Sequence, residues 1–326
     1  MRTRRCVLVS LAAACAVAAP SFAQTDITLR LGAIGGGSPM APDSPFGKIL
    51  IAALADLGYE LGRNLNFDSR GALANVAKLP GLIAELTAAG ARILVASGYP
   101  SAAAAKAAGV PTVIFVGAGD PVATDLVESW AHPGGVVTGI SDVAATLTVK
   151  RLELLKAVSP QLKRVAMLWN AQDRVMTLRY EASAATAKMQ GIVVQALGVR
   201  EPDYFNAAFA AMDSDKPDAI LMVADSLTVL NRKRVFDYAL ARRLPAIYEL
   251  DSFAREGGLM SYGADLHESL TRAASMVDRI FKGTRPGDIP FETPTRYLFV
   301  INLKTARAMG LEPPMDLLGL ADDVIE

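Results

Sequence analysis

Short apolar runs of strand length alternate with Ala- and Leu-rich stretches of helix length along this 326-residue chain, and the alternation starts over near its middle. In the first half, Ile27–Ile34, Leu65–Ser69, Ile93–Ala96 and Val113–Val116 read as strands. Phe46–Leu57, Leu79–Ala89 and Ser101–Ala108 read as helices between them. Ile49, Leu50, Ala53, Leu54 and Leu57 recur at the spacing of one helical face, and Gly58 and Gly62 stop that helix. The second half opens with a helix at Thr148–Val158. Strands follow at Arg164–Leu168, Ile192–Leu197, Ala219–Val223, Ala246–Tyr248, Leu259–Tyr262 and Tyr297–Asn302. Their intervening helices are Met176–Gln190, Tyr204–Met212, Asn231–Arg242, Leu266–Phe281 and Lys304–Met309. Strands that alternate with helices make parallel sheets joined by right-handed crossovers. Two such sets predict an α/β fold of two Rossmann-like lobes.

The periodicity breaks near His132–Asp142, near Glu256–Tyr262 and at Pro286–Thr295, where three prolines cluster. Three crossings between lobes make a clam-shell with a cleft. The expected division is residues 27–140 plus 263–290 for the first lobe and 141–262 plus 291–326 for the second. Ser141, Tyr262 and Pro294 then mark the hinge.

The first residues have another purpose. Three arginines lie within Met1–Arg5, an uncharged apolar run covers Cys6–Ala19, and Ser21-Phe22-Ala23 gives a small-x-Ala ending. This is the pattern of a secretory signal peptide, residues 1–23, and the apolar run is shorter than the roughly 20 residues a membrane span needs. Thr3-Arg4-Arg5 also has a twin-arginine look, and Cys15 after Ala12-Ala13-Ala14 offers a lipid-anchored form as an alternative. Both cysteines, Cys6 and Cys15, fall in this segment, so the remaining chain has no disulfide, thiol nucleophile or Cys-ligated metal. Lys+Arg and Asp+Glu are 33 each; without Arg2, Arg4 and Arg5 the acidic side chains exceed the basic by three. That balance gives no electrostatic case for nucleic acid.

Catalytic patterns are missing. The two histidines, His132 and His267, lie far apart, with no metal-ligand spacing and no serine elbow around them. Gly35-Gly36-Gly37 follows a strand but lacks both phosphate-loop spacings. The expectation is therefore no catalytic residue, no metal and no cofactor.

Binding chemistry is expected instead at the carboxyl ends of the strands, where open α/β sheets hold ligands. The candidates are Ser38, Ser97, Gly98, Tyr99, Ser101 and Asp120 in the first lobe, and Asn170, Asp225, Ser226, Tyr248 and Tyr262 in the second. Helix starts and hydroxyls suit a carboxylate; Asp225 suits an ammonium. Tyr99, Trp169, Tyr248 and Tyr262 could wall an aromatic side chain. A zwitterionic small molecule such as an amino acid fits that set.

The stretches LGYELGRNL (57–65), AAAAKAAGVPTVIFV (102–116), GDPV (119–122), LVESWAHPGGVVTGIS (126–141), KRLELLK (150–156), RLPAIY (243–248), GGLMSYG (257–263), VDRIFKG (277–283) and FVINLKTARAMGL…ADDVIE (299–326) occur in this order. With them the chain resembles the tryptophan/tyrosine-type branch of ABC-transporter substrate-binding proteins. That resemblance implies a type I periplasmic-binding fold, a monomer that captures a small solute in the periplasm, and delivery to a permease with its ATPase subunit. The chain departs at His132-Pro133-Gly134-Gly135-Val136, where Arg-Pro-Gly-Gly-Asn is usual, and at Ile289–Pro294. The residues alone leave open a periplasmic sensor subunit, or a cleft enzyme acting on a small amide.

Overall fold

The computed structural model describes residues 28–326, so the expected export signal lies outside the described residues. The chain order begins β1 (Leu29–Gly35), α1 (Pro45–Asp56), β2 (Leu65–Gly71), α2 (Leu79–Ala88), β3 (Ile93–Ser97), α3 (Tyr99–Ala107), β4 (Thr112–Val116) and β5 (Val137–Gly139). It continues α4 (Thr148–Val158), β6 (Arg164–Asn170), α5 (Arg174–Met189), β7 (Val193–Val199), α6 (Tyr204–Ser214), β8 (Ala219–Met222), α7 (Ser226–Leu230), α8 (Arg232–Arg242) and β9 (Ala246–Tyr248). Last come α9 (Asp251–Arg255), β10 (Met260–Ala264), α10 (Leu266–Phe281), β11 (Tyr297–Asn302), α11 (Leu303–Met309), α12 (Met315–Leu318) and β12 (Asp323–Ile325).

The first sheet has the order β2-β1-β3-β4-β5, and every pair in it is parallel. Its central strands, ILVAS and TVIFV, are buried almost throughout, as a sheet covered on both faces demands. Helices α1 and α10 cover one face: Leu50, Leu54, Leu270, Ala274 and Val277 join Leu31, Val95 and Phe115 in one core. Ile83, Leu86, Ala102 and Ala105, from α2 and α3, join Ile34, Leu94 and Ile114 on the other.

The second sheet has the order β12-β11-β10-β9-β8-β6-β7. The segment β7-β6-β8-β9-β10 repeats the plan of the first sheet. The expected pair of α/β lobes is thus present, with one addition: β11 runs antiparallel to β10, so the second sheet is mixed. The reason is topological. Helix α10 leaves the second sheet to pack on the first, and the returning strand enters from the opposite direction.

The chain passes between the sheets three times, after β5, between β10 and α10, and on the way to β11. At the first and third passages the strands touch: Ser141 N donates to Glu292 O, and Glu292 N donates to Gly139 O, both at 2.9 Å. The middle passage lies later than the break expected at Glu256–Tyr262, because Gly257-Gly258 is a turn that feeds β10 rather than leaving the sheet. The short helices α7, α9 and α12, four or five residues each, escape a periodicity reading because little more than one turn shows no repeat.

Candidate functional site

In a doubly wound sheet the strand order reverses at one point, and the loops leaving the two strands there diverge to open a crevice. In the first sheet that point lies between β1 and β3, in the second between β6 and β8. Four loops follow these strands: Gly36–Ser38, Gly98, Ala171–Asp173 and Ala224–Asp225. All four contribute to one cavity of about 320 Å³, at the lower end of the roughly 300–1,000 Å³ of small-ligand sites.

The lobes meet closely across it. A Cβ added to Gly36 would stand 2.5 Å from Ser226 Oγ and 3.1 Å from Ser226 Cβ, so only a glycine lets the first-lobe loop approach α7 this far. Ala74, at the end of the β2 loop, packs against the core of the second lobe. Its backbone is left-handed, as is that of Leu73, and both are pinned by hydrogen bonds to Gly36 O and Gly37 O.

The first-lobe wall is rich in hydroxyls. Ser38, Ser97 and Ser101 line the cavity and Ser226 faces them from the second lobe. None of the four hydroxyls has a hydrogen-bond partner among the described residues, and Ser101 is fully buried. Of the four only Ser101 is buried; leaving its hydroxyl unpaired costs roughly 1–3 kcal/mol, which an acceptor on a bound ligand would offset. Gly98 precedes α3 with φ of 82°, the left-handed value that turns β3 directly into the helix. The apolar wall comes from Met40, Phe46, Met176, Val229, Leu250 and Phe253.

The second-lobe wall is rich in carboxylates. Asp225 caps α7, accepting from Thr228 N at 2.9 Å, and Asn170 Nδ2 donates to its other oxygen at 2.5 Å. Asp173 caps α5, accepting from Val175 N at 2.8 Å and Met176 N at 3.3 Å. Burial first, then the charge of Asp225, pushes the Asp173 carboxyl up to about 6. Burial also raises Asp225, against the pull of its Thr228 and Asn170 donors.

Behind this wall runs a buried charge network. Arg179 donates to both oxygens of Asp142, at 2.8 and 3.0 Å, and to Glu249 at 3.1 Å. Arg151 donates to Glu249, to Ala144 O and to Tyr262 O. Glu249 in turn accepts from Ala224 N at 2.9 Å. The network therefore ties the segment that carries Asp225 to the passage at Asp142 and to β10 at Tyr262. Burial disfavours the Arg179 charge, yet Asp142 and Glu249 outweigh it and raise its proton affinity.

Of the residues expected from sequence, Ser38, Ser97, Gly98, Ser101, Asp225 and Ser226 line this cavity. Asn170 stands one hydrogen bond behind, through Asp225. The others are placed elsewhere. Asp120 is exposed and caps a turn through Val122 N and Ala123 N. Tyr248 is buried between Phe236 and Phe253, because its strand turns that ring into the core. Tyr99 packs against the cores of both lobes, with its hydroxyl on Thr124 O. Tyr262 lies within β10 beside Tyr297, and Trp169 stacks on Tyr180 at 3.6 Å. The aromatic rings that do line the cavity, Phe46 and Phe253, escaped the sequence reading, as did Asp173, Met176 and Glu249. Asp173 had a signal: it follows the strand β6, beside the switch point, just as Ser38 follows β1.

A family model described as ABC transporter substrate binding protein matches residues 47–325. The chain belongs to the ABC transporter substrate-binding protein family. This substrate-binding protein is 27% identical over 267 residues to a tyrosine-binding protein of Clostridioides difficile (strain R20291), covering 81% of this chain and 76% of that one. Among solved structures it is similar to an ABC domain from Streptococcus pneumonia in complex with L-Trp, with TM-score 0.81, 25% identity, and coverage of 91% and 100%. It shares its fold with a conserved domain protein of Vibrio cholerae, with TM-score 0.84, 24% identity, and coverage of 91% and 99%. As the substrate-binding component of an ABC transporter, it captures a small molecule between its two lobes. Among the described residues, no helix is long and apolar enough to cross a membrane, and no group of His, Cys, Asp or Glu is set to hold a metal ion.

Proposed function

We propose that this substrate-binding protein captures an L-α-amino acid with an aromatic or large apolar side chain and delivers it to an ABC importer. The observation that carries the reading is the division of labour around the cavity: Ser38, Ser97 and the buried, unpartnered Ser101 on one wall, carboxylates on the other, Phe and Met between them. The ligand carboxylate meets Ser97, Ser101 and the start of α3, where the amide dipoles favour an anion. Its ammonium group meets Asp225. Phe46 and Phe253 hold the side chain. The tyrosine-binding relative and the neighbour complexed with L-Trp support the aromatic choice.

Residues 1–23 export the chain, so that it works as a periplasmic monomer beside a permease and its ATPase subunit. Residues 27–140 plus 263–290 and residues 141–262 plus 291–326 rotate about Ser141, Tyr262 and Pro294. The ligand favours the closed state by contacting both lobes at once. The protein performs capture without chemistry. Isothermal titration against the twenty amino acids tests this: heat with tyrosine, tryptophan or phenylalanine is expected, together with contraction in solution scattering. Absence of heat with every amino acid would overturn it.

A further inference from the structure

Five carboxylates line the cavity: Asp142, Asp173, Asp225, Glu249 and Glu256. Three of them have cations. Asp142 and Glu249 share Arg179, Glu249 also holds Arg151, and Glu256 pairs with Arg232 at 2.5 Å. Asp173 and Asp225 make no ion pair among the described residues. They follow β6 and β8, neighbouring strands at the reversal of the second sheet. Asp173 is only 8% exposed, and both of its capping bonds go to Oδ1, which leaves Oδ2 without a donor. A second feature of the cavity independently calls for a guest: the fully buried, unpartnered hydroxyl of Ser101 on the opposite wall.

We infer that in mildly acidic solution the Asp173 and Asp225 pair of the empty cavity carries one proton, and that the ammonium group of an entering amino acid displaces this proton to solvent. The inference rests on the amino-acid reading above. In the exchange one carboxyl O–H bond breaks and its proton passes to water or buffer. The ammonium keeps its three protons and forms N–H···O bonds to both carboxylates. Nothing is oxidised or reduced.

Two like charges lining one partly buried cavity without a cation ionise together only at a cost, and a strongly interacting pair titrates as a unit. Burial and the neighbouring carboxylate both hold Asp173 up, to about 6. Arg179 faces it and pulls the other way, but its donors are spent on Asp142 and Glu249. Arg232 and Glu256 face the cavity as a pair, and Arg151 stays behind Glu249. A bound ammonium is thus the one cation free to meet both acids. Ligand and proton then compete, and affinity falls about tenfold for each pH unit below about 6.

The test is isothermal titration of the purified protein with L-tyrosine and L-tryptophan, in pairs of buffers with different ionisation heats. Release of most of one proton is expected at pH 5.5 and none at pH 8, with affinity at pH 5 roughly a tenth of that at pH 8. Asp173→Asn is expected to abolish the release and flatten the pH profile. Carbon-detected carboxyl titration of the ligand-free protein should show a carboxyl titrating near 6 that is lost in the same variant. Binding with no proton release and a flat profile would overturn this inference and leave the amino-acid reading standing. Lack of binding to any amino acid would overturn both. A ligand-free protein with no carboxyl titrating above 5 would overturn the shared proton by itself.

Discussion

Asp173→Asn should make the empty protein more stable, and should do so only where the unfolded wild-type chain carries the Asp173 charge. The carboxyl moves from 3.8 to about 6 on folding, so the folded chain holds its proton more tightly than the unfolded chain. Below about pH 3 both states are protonated and the difference has no effect. As pH rises through 4, the unfolded chain loses its proton first and the native state begins to lose ground. The loss is complete above 6. The gap between 3.8 and about 6, at about 1.4 kcal/mol for each pH unit, amounts to about 3 kcal/mol by pH 7.5 and about 1 kcal/mol at pH 4.5. Asparagine keeps the cap, since its carbonyl accepts from Val175 N and Met176 N as Asp173 does. Urea unfolding of the two proteins at both pH values gives the difference directly. The variant should gain about 3 kcal/mol at pH 7.5 and about 1 kcal/mol at pH 4.5. Equal gains at the two values, or a loss at pH 7.5, would refute the claim that Asp173 carries an uncompensated charge.

Three further outcomes follow from the same geometry. Ser101→Ala removes a hydroxyl with no protein partner, so urea stability should hold or rise slightly, while affinity measured by titration calorimetry should fall about tenfold, as for a lost bond to a charged group. Gly36→Val places a side chain where Ser226 stands 2.5 Å away; the lobes should be held apart, scattering should show less contraction with ligand, and affinity should drop. Arg179→Met strands Asp142 and Glu249 in the interior, and denaturant unfolding should register a loss of about 3–5 kcal/mol, far above that of exchanging an exposed pair such as Lys233–Asp237.

Much of this architecture was legible because it repeats in a local signal. Runs such as TVIFV and RVAMLW are too apolar for anything but buried parallel strands, and the amphipathic face of Leu266, Leu270, Ala273 and Val277 marks α10 from end to end. Strand ends are equally local, which is why Ser38, Ser97, Ser101, Asp225 and Ser226, expected at strand ends, line the cavity. The aromatic wall could not. A tyrosine that ends a strand points to the cavity or the core according to the pleat, and Tyr248 points to the core. Phe46 and Phe253 sit in helices whose approach to the cavity depends on how the lobes close.

The residue order by itself determined the alternation of strand and helix, and with it two doubly wound sheets whose loops gather at their carboxyl edges. Those are consequences of periodicity and chain connectivity, which act over a few residues. Only the tertiary structure decided which loops face one another, that Arg179 would satisfy Asp142 and Glu249, and that Asp173 and Asp225 would be left without a cation. Charge pairing between segments tens of residues apart depends on distances that no sequence spacing contains.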